Sequence, residues 1–136
     1  MSLLSRKGLL AIAAVVDVAL IARERPLSAR ALAARHNLPP RHLEPVLQAL
    51  VHARIFNGIR GPRGGYELAR ELRRISVADV LRAAGDDGDE QGQKGSRILD
   101  EIVLPALTEA ERTFTVALAQ LSIEDLARRA ENLRDR

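Results

Sequence analysis

Apolar residues recur at helical spacing along much of the chain. Between Ser5 and Arg23, the positions Leu9, Ile12, Val16, Ala19 and Leu20 predict a buried amphipathic helix. Pro26 ends that region, and Ser28 offers an N-cap for a short helix, "ARALAARHN", closed at Asn37. After "LPP" a third helix begins, with Pro39 or Pro40 in its first turn. Within "RHLEPVLQALVHAR", Leu43, Val46, Leu47, Leu50 and Val51 form one apolar stripe, and Arg41, His42, Glu44 and Gln48 fall away from it. Pro45 conflicts with that helix, because an interior proline removes a hydrogen bond, costs about 3 kcal/mol and can kink the axis.

The pattern then changes. In "IFNGIRGPRGGYELA", Ile55, Phe56 and Ile59 precede a turn-rich stretch, and Tyr66 and Leu68 follow it. This predicts a two-stranded ribbon with Arg60 and Arg63 at or near its tip. The glycines at 61, 64 and 65 are read as allowing the backbone to approach a sugar-phosphate chain. A helix-turn-helix followed at once by a hairpin is a winged helix. "ISVADVLRAAG" opens with Ser76 and Asp79 at capping-box spacing and closes at Gly85. Residues 85–96, "GDDGDEQGQKGS", hold nothing apolar to bury and predict a solvated loop.

From there a longer helix is expected to reach about Leu121. Val103, Leu107, Ala110, Phe114, Ala117 and Leu121 are spaced alternately by four and three, a coiled-coil-like seam suited to dimerisation. Pro105 sits in the first turns of that helix or kinks it, and Ser122 and Asp125 cap a last short helix, "IEDLARRAEN". The predicted fold class is mainly α: a winged helix-turn-helix domain with a small β-hairpin wing and a long C-terminal dimerisation helix. Its divisions are 1–85 for the winged helix, 86–96 for a flexible loop, and 97–136 for the dimerisation and C-terminal helices.

Composition sharpens this picture. Only 2% of the 136 residues are aromatic, so the core must come from Leu, Ile, Val and Ala, which suits packed helices. No cysteine is present, which excludes disulfides, thiolate metal sites and a cysteine nucleophile. His36, His42 and His52 lack metal-ligand spacing, and Asp86, Asp87, Asp89 and Glu90 lack the regular ladder of a calcium loop. No cofactor or metal is expected. The apolar stretch from Gly8 to Ala22 is too short to span a membrane and is interrupted by Asp17, so the chain is expected in the cytoplasm. No nucleophile–base pairing or phosphate-binding motif points to an enzyme.

Charge is distributed unevenly. Residues 23–82 carry 12 arginines against five acids, whereas residues 83–136 carry a net charge of −5. A basic middle with a polar helix face and a cationic ribbon fits a nucleic-acid footprint. A helix can enter the major groove, about 12 Å wide, where Arg41, His42 and Glu44 in its first turns would meet base edges. Arg60 and Arg63 would meet phosphate or the minor groove. The rival reading is a winged helix that binds and regulates a partner enzyme, its basic face idle.

The stretch from "LSARALAARHNLPPRHLEPVLQAL" through "RGPRGGYELARELRRISVADVLRAAG" resembles the Rrf-two (Rrf2) family of transcriptional regulators. The resemblance is strong over residues 5–85 and looser to "LSIEDL". It implies a homodimeric winged-helix repressor on a palindromic double-stranded DNA operator. Carried over by position, it assigns Pro40, Arg41, His42 and Glu44 to the recognition helix, and Arg60, Arg63 and Gly64 to the wing. It also assigns Ser28 to the start of the supporting helix, and Arg6 and Lys7 to the basic start of the first. Members that bind iron–sulfur clusters carry three cysteines in the loop matching residues 86–96, and this chain has none. The resemblance therefore implies sensing by another route, through a small molecule or a protein effector.

Overall fold

The computed structural model describes residues 5–22, 25–85 and 97–134. The predicted acidic loop, 86–96, lies outside the described residues. Six helices and one hairpin are described in the order α1 (Arg6–Ile21), α2 (Ala29–Arg35), α3 (Pro40–His52), β1 (Phe56–Ile59), β2 (Gly65–Leu68), α4 (Val77–Ala84), α5 (Leu104–Ala119) and α6 (Ile123–Arg134). A 3-10 turn, Leu72–Arg74, precedes α4, and a π-helical turn, Leu99–Val103, precedes α5.

Local chemistry accounts for the boundaries. Ser5 caps α1 by accepting from the Gly8 amide at 2.9 Å, and Ser28 caps α2 by accepting from Ala31 at 3.1 Å. Asn37 ends the second helix in the left-handed region, at φ 55°, which asparagine tolerates better than most residues. Pro39 and Pro40 then start α3 without a side-chain cap. At α4 the box is reciprocal: the Ser76 hydroxyl accepts from the Asp79 amide at 3.0 Å, and the Asp79 carboxylate accepts from the Ser76 amide at 3.1 Å. Pro105 lies in the first turn of α5, where its missing N–H is tolerated, and the helix widens into the π turn just before it.

The core is aliphatic with one aromatic. Val15 and Val18 of α1, Leu32 of α2, Leu43, Leu47 and Leu50 of α3, Phe56, Ile75 and Val80 are all withdrawn from solvent. Two expectations for α1 need correcting. Leu9 is 50% exposed, while Ala11 and Ala14 are fully buried. Ile12, Val16 and Leu20 are half-buried at the flank, so the centre of the buried face is the small-residue side. Ala11, Ala14, Val15 and Val18 share that face, and the small side chains among them let α4 and α6 pack close against this helix.

The last helix is 12 residues long and returns to the first. Ile123 is fully buried in the common core, and Ala127 is also buried. A bridge fixes this return: the Val77 amide donates to the Leu121 carbonyl, and the Ile123 amide donates to the Ile75 carbonyl, each at 3.0 Å. The C-terminal helix therefore shares its core with the winged helix.

The hairpin is antiparallel, pairing Phe56 with Leu68, Asn57 with Glu67, Gly58 with Tyr66 and Ile59 with Gly65. Leu27 adds a short third rung, exchanging two backbone hydrogen bonds with Tyr66 at 2.9 and 3.0 Å.

Candidate nucleic-acid interface

Residues 36–39 join α2 to α3, a four-residue turn. Burial of Leu43, Val46, Leu47 and Leu50 fixes the roll of α3 about its axis. The opposite side, Arg41, His42, Glu44, Pro45 and Gln48, is exposed as one face. Of the predicted apolar stripe, only Val51 is left half-buried.

Two clefts flank this face. On one side, Arg6, Lys7 and Leu10 of α1 meet Leu38, Arg41, His42 and Pro45. On the other, Ser28 and Ala29 meet Gln48 and Val51, with Gly58, Arg60, Gly64 and Tyr66 of the hairpin forming the far wall. The structure thus groups Arg6, Lys7, Arg41 and His42 in one cleft and Ser28, Arg60 and Gly64 in the other. Pro40 and Glu44 are exposed at the start of α3, and Arg63 is exposed at the hairpin turn.

Among the described residues, many of the arginines away from this side are paired with acids, although Arg54 and Arg112 are not. Arg70, Arg73, Arg74, Arg82, Arg128 and Arg129 each lie within 4.0 Å of a carboxylate. Among the described residues, Arg6, Arg41, Arg60 and Arg63 have no such partner, and all four are exposed. Unneutralised guanidinium groups on both sides of an exposed helix create a positive field suited to a polyanion.

Two of the hairpin glycines have a structural task of their own. A Cβ on Gly64 would run into the Ile59 carbonyl, the opposing backbone of the same turn. One on Gly65, whose φ is +150°, would stand 2.5 Å from the Leu27 carbonyl carbon. Both are glycine because the protein's own backbone passes there. Ser28 likewise has an internal task as the cap of α2, although it also lines the hairpin cleft.

Three features escaped the sequence reading. Gln48 donates from Nε2 to the Tyr66 hydroxyl at 3.4 Å, a long bond that links the helix face to the wing. Pro45 is exposed between Arg41 and Gln48 on that face, inside a continuous helix. Asp17, seen only as a break in an apolar run, is 6% exposed and lies 2.7 Å from His36 Nε2 and 3.1 Å from Arg35 Nε. Aspartate in the apolar stretch of a helix was the available signal, since a buried carboxylate requires partners. This cluster ties α1 to the end of α2, just before the turn into α3.

The segment from Ile98 through α5 is divided. Val103, Leu107, Ala110 and Ala117 of the predicted seam are exposed, along with Ile98, Ile102, Leu104 and Val116 outside it. Phe114 and Leu121 are half-buried; Leu121 packs against the core, and Phe114 lines a pocket with Leu81 and Leu118.

Among the described residues, Asp79 is the titratable group whose environment clearly perturbs it. Burial pushes its carboxyl up, but the Ser76 amide, Arg82, the Ser76 hydroxyl and nearby Arg70 together outweigh this and leave it below the ordinary carboxylate value.

No helix among the described residues is long and apolar enough to cross a membrane. The family described as "Rrf2: Iron-dependent Transcriptional regulator" matches residues 4–129. The chain is 32% identical over 134 residues to the HTH-type transcriptional regulator IscR of Xenorhabdus nematophila, covering 96% of this chain and 82% of that protein. It is 32% identical over 126 residues to the HTH-type regulator slr0846 of Synechocystis, covering 90% and 86%. Among solved structures, T. potens IscR superposes with a TM-score of 0.75 at 26% identity, covering 96% of this chain and 89% of that one. CymR, the global cysteine regulator of B. subtilis, does so with 0.71 at 26%, covering 93% and 97%.

The iron in the family description meets no matching donor set here. The chain has no thiolate to offer, and no group of three or more His, Asp or Glu among the described residues could hold a metal ion. A cysteine-ligated cluster does not fit these residues. With a winged helix whose free cations flank an exposed polar helix face, and with matches along nearly its whole length, the chain belongs to the Rrf2 family of DNA-binding transcriptional regulators, which are not enzymes.

Proposed function

We propose that the chain acts in the cytoplasm as a homodimeric repressor, each protomer reading one half of a palindromic operator. The observation that carries this reading is the placement of Arg6, Arg41, Arg60 and Arg63, without carboxylate partners among the described residues, around the exposed face of α3. In this reading α3 enters the major groove, with Arg41, His42 and Glu44 at base edges and Pro40 at its entry. Arg60 and Arg63 reach phosphate or the minor groove, while Arg6, Lys7 and the capped start of α2 at Ser28 hold the backbone.

Dimerisation supplies a cover for the exposed apolar residues of α5. Leu107 is 47% exposed and Ile102 65%, which is costly for a free helix in water. A second copy pairing through Val103, Leu107, Ala110 and Ala117 would bury them, with Phe114 and Leu121 anchoring the seam to each protomer's own domain. The signal reaches this dimer through a small molecule or a protein effector rather than a cysteine-bound cluster.

The test is fluorescence anisotropy with two duplexes: the region upstream of the chain's own gene, and a random sequence of equal length. Specific binding should exceed random binding by about a thousandfold or more at physiological salt. Glu44→Ala should relax base choice at one position in each half-site. Equal affinity for both duplexes in the unmodified protein would reject the proposal.

A further inference from the structure

Arg41, Pro45, Gln48 and His52 recur at four, three and four residues along α3, so they form one line on its exposed side. Three of the four carry hydrogen-bonding groups. Pro45 is the exception, and it occupies the middle of the line. It lines the cleft holding Arg6, Lys7 and Arg41, and also the groove on its other side, with Gln48, Ala49 and His52. Its ring is therefore a ridge between two grooves.

Proline is the least favourable residue for a helix interior. Here it sits on the solvent side, where no packing demand explains it. What it offers instead is a rigid apolar surface with neither donor nor acceptor, held at the centre of a face otherwise built for polar contacts. Base edges in the major groove present one apolar group, the C5-methyl of thymine. Any other edge beneath the ring would lose water without gaining a hydrogen bond in return.

We infer that Pro45 is a specificity-determining residue that selects thymine by contact between its ring and the 5-methyl group. This rests on the DNA-binding reading above. Arg41 and Gln48, on either side along the line, address the neighbouring base pairs through hydrogen bonds. Pro45 discriminates by shape and desolvation.

The experiment begins by selecting bound sites from a random duplex pool with the full-length protein. Each selected thymine is then replaced in turn by deoxyuridine, which lacks only the methyl group. At one position the replacement should weaken binding by about fourfold, the worth of one buried methyl-sized group. In Pro45→Ser that difference should disappear, and in Pro45→Ala, which keeps one methyl, it should shrink. Both substitutions give the Arg41 carbonyl its helical donor back, so loss of fold is not the expected consequence, and circular dichroism checks this. A proline that merely bent the helix would change overall affinity and leave the thymine-to-uracil ratio intact.

Failure to select any sequence would overturn the DNA-binding reading itself. Specific binding with no uracil penalty, or with the same penalty in Pro45→Ser, would overturn this inference alone.

Discussion

Replacing Gly65 with alanine tests whether the wing is held by the protein's own backbone. Its φ of +150° is strained for any side chain, at about 1–3 kcal/mol. The added Cβ would stand 2.5 Å from the carbonyl carbon of Leu27, 2.6 Å from its oxygen and 2.8 Å from the Ser28 nitrogen. These are backbone atoms, so no rotamer change relieves the overlap. The Leu27 segment must move away from β2, which breaks the two hydrogen bonds between Leu27 and Tyr66. At about 1 kcal/mol each, and with part of the strain relieved by the movement, the total is about 2–4 kcal/mol.

Urea unfolding measures that loss as a lower midpoint at unchanged slope. Hydrogen exchange locates it, because the Leu27 and Tyr66 amides should lose protection before those of α3. Gly58→Ala is the control: its Cβ would lie 3.8 Å from the Tyr66 ring and 3.9 Å from Val51, ordinary contact distances. That variant should stay within about 0.5 kcal/mol of the parent protein. If Gly65→Ala destabilises no more than Gly58→Ala and both amides stay protected, the close-approach argument is wrong.

Three further outcomes follow from the same structure. Because the Asp79 carboxyl sits below its ordinary value, it stabilises the fold at neutral pH, and that contribution fades as pH falls below about 4. Asp79→Asn should therefore flatten the acid limb of a stability–pH curve, and an unchanged limb would contradict the capping-box account. Asp17→Ala leaves Arg35 and His36, with side chains 45% and 29% exposed, free to rehydrate, and should cost about 1–3 kcal/mol in urea unfolding. Removing Arg35 and His36 together strands the buried carboxylate and should cost more, about 3–5 kcal/mol, so the reverse order would refute the cluster's role. Arg60→Ala should lower the slope of log affinity against log salt by about 0.9, as expected for one lost phosphate contact, and an unchanged slope would remove Arg60 from the interface.

The elements were legible wherever local chemistry sets them. Ser28 and Ser76 with Asp79 announce helix starts through hydrogen bonds within three residues, and Pro39 and Pro40 do so through their fixed φ, so a one-dimensional reading suffices. The roll of α3 was legible because four large aliphatics share one stripe. The buried side of α1 was not. Hydrophobic size pointed to Leu9, whereas close packing by α4 and α6 selected Ala11 and Ala14. Pairings between distant residues were also out of reach: Gln48 to Tyr66 spans 18 positions, and Asp17 to His36 spans 19. The glycines of "RGPRGG" showed that something must come close, but which chain came close was visible only in three dimensions.

Tyr66 explains how so small a wing can have a defined position. Its backbone pairs with Leu27, immediately before the Ser28 cap of α2. Its ring lies 5.9 Å from that of Phe56, which is buried in the core, and its hydroxyl accepts from Gln48 on α3. One residue thus joins the wing to α2, the core and the exposed face of α3. A hairpin of two four-residue strands is at best marginal by itself, so these attachments supply the order its own ladder cannot. The consequence for recognition is a division of labour. The wing backbone and α3 are held in one relative position before binding, so little ordering cost falls on the encounter with a duplex. The long side chains of Arg60 and Arg63 extend beyond that frame and can adjust to phosphates of any sequence. In the proposed reading, choice among sequences then rests with the rigid residues of α3, and strength of attachment with the flexible cations around them.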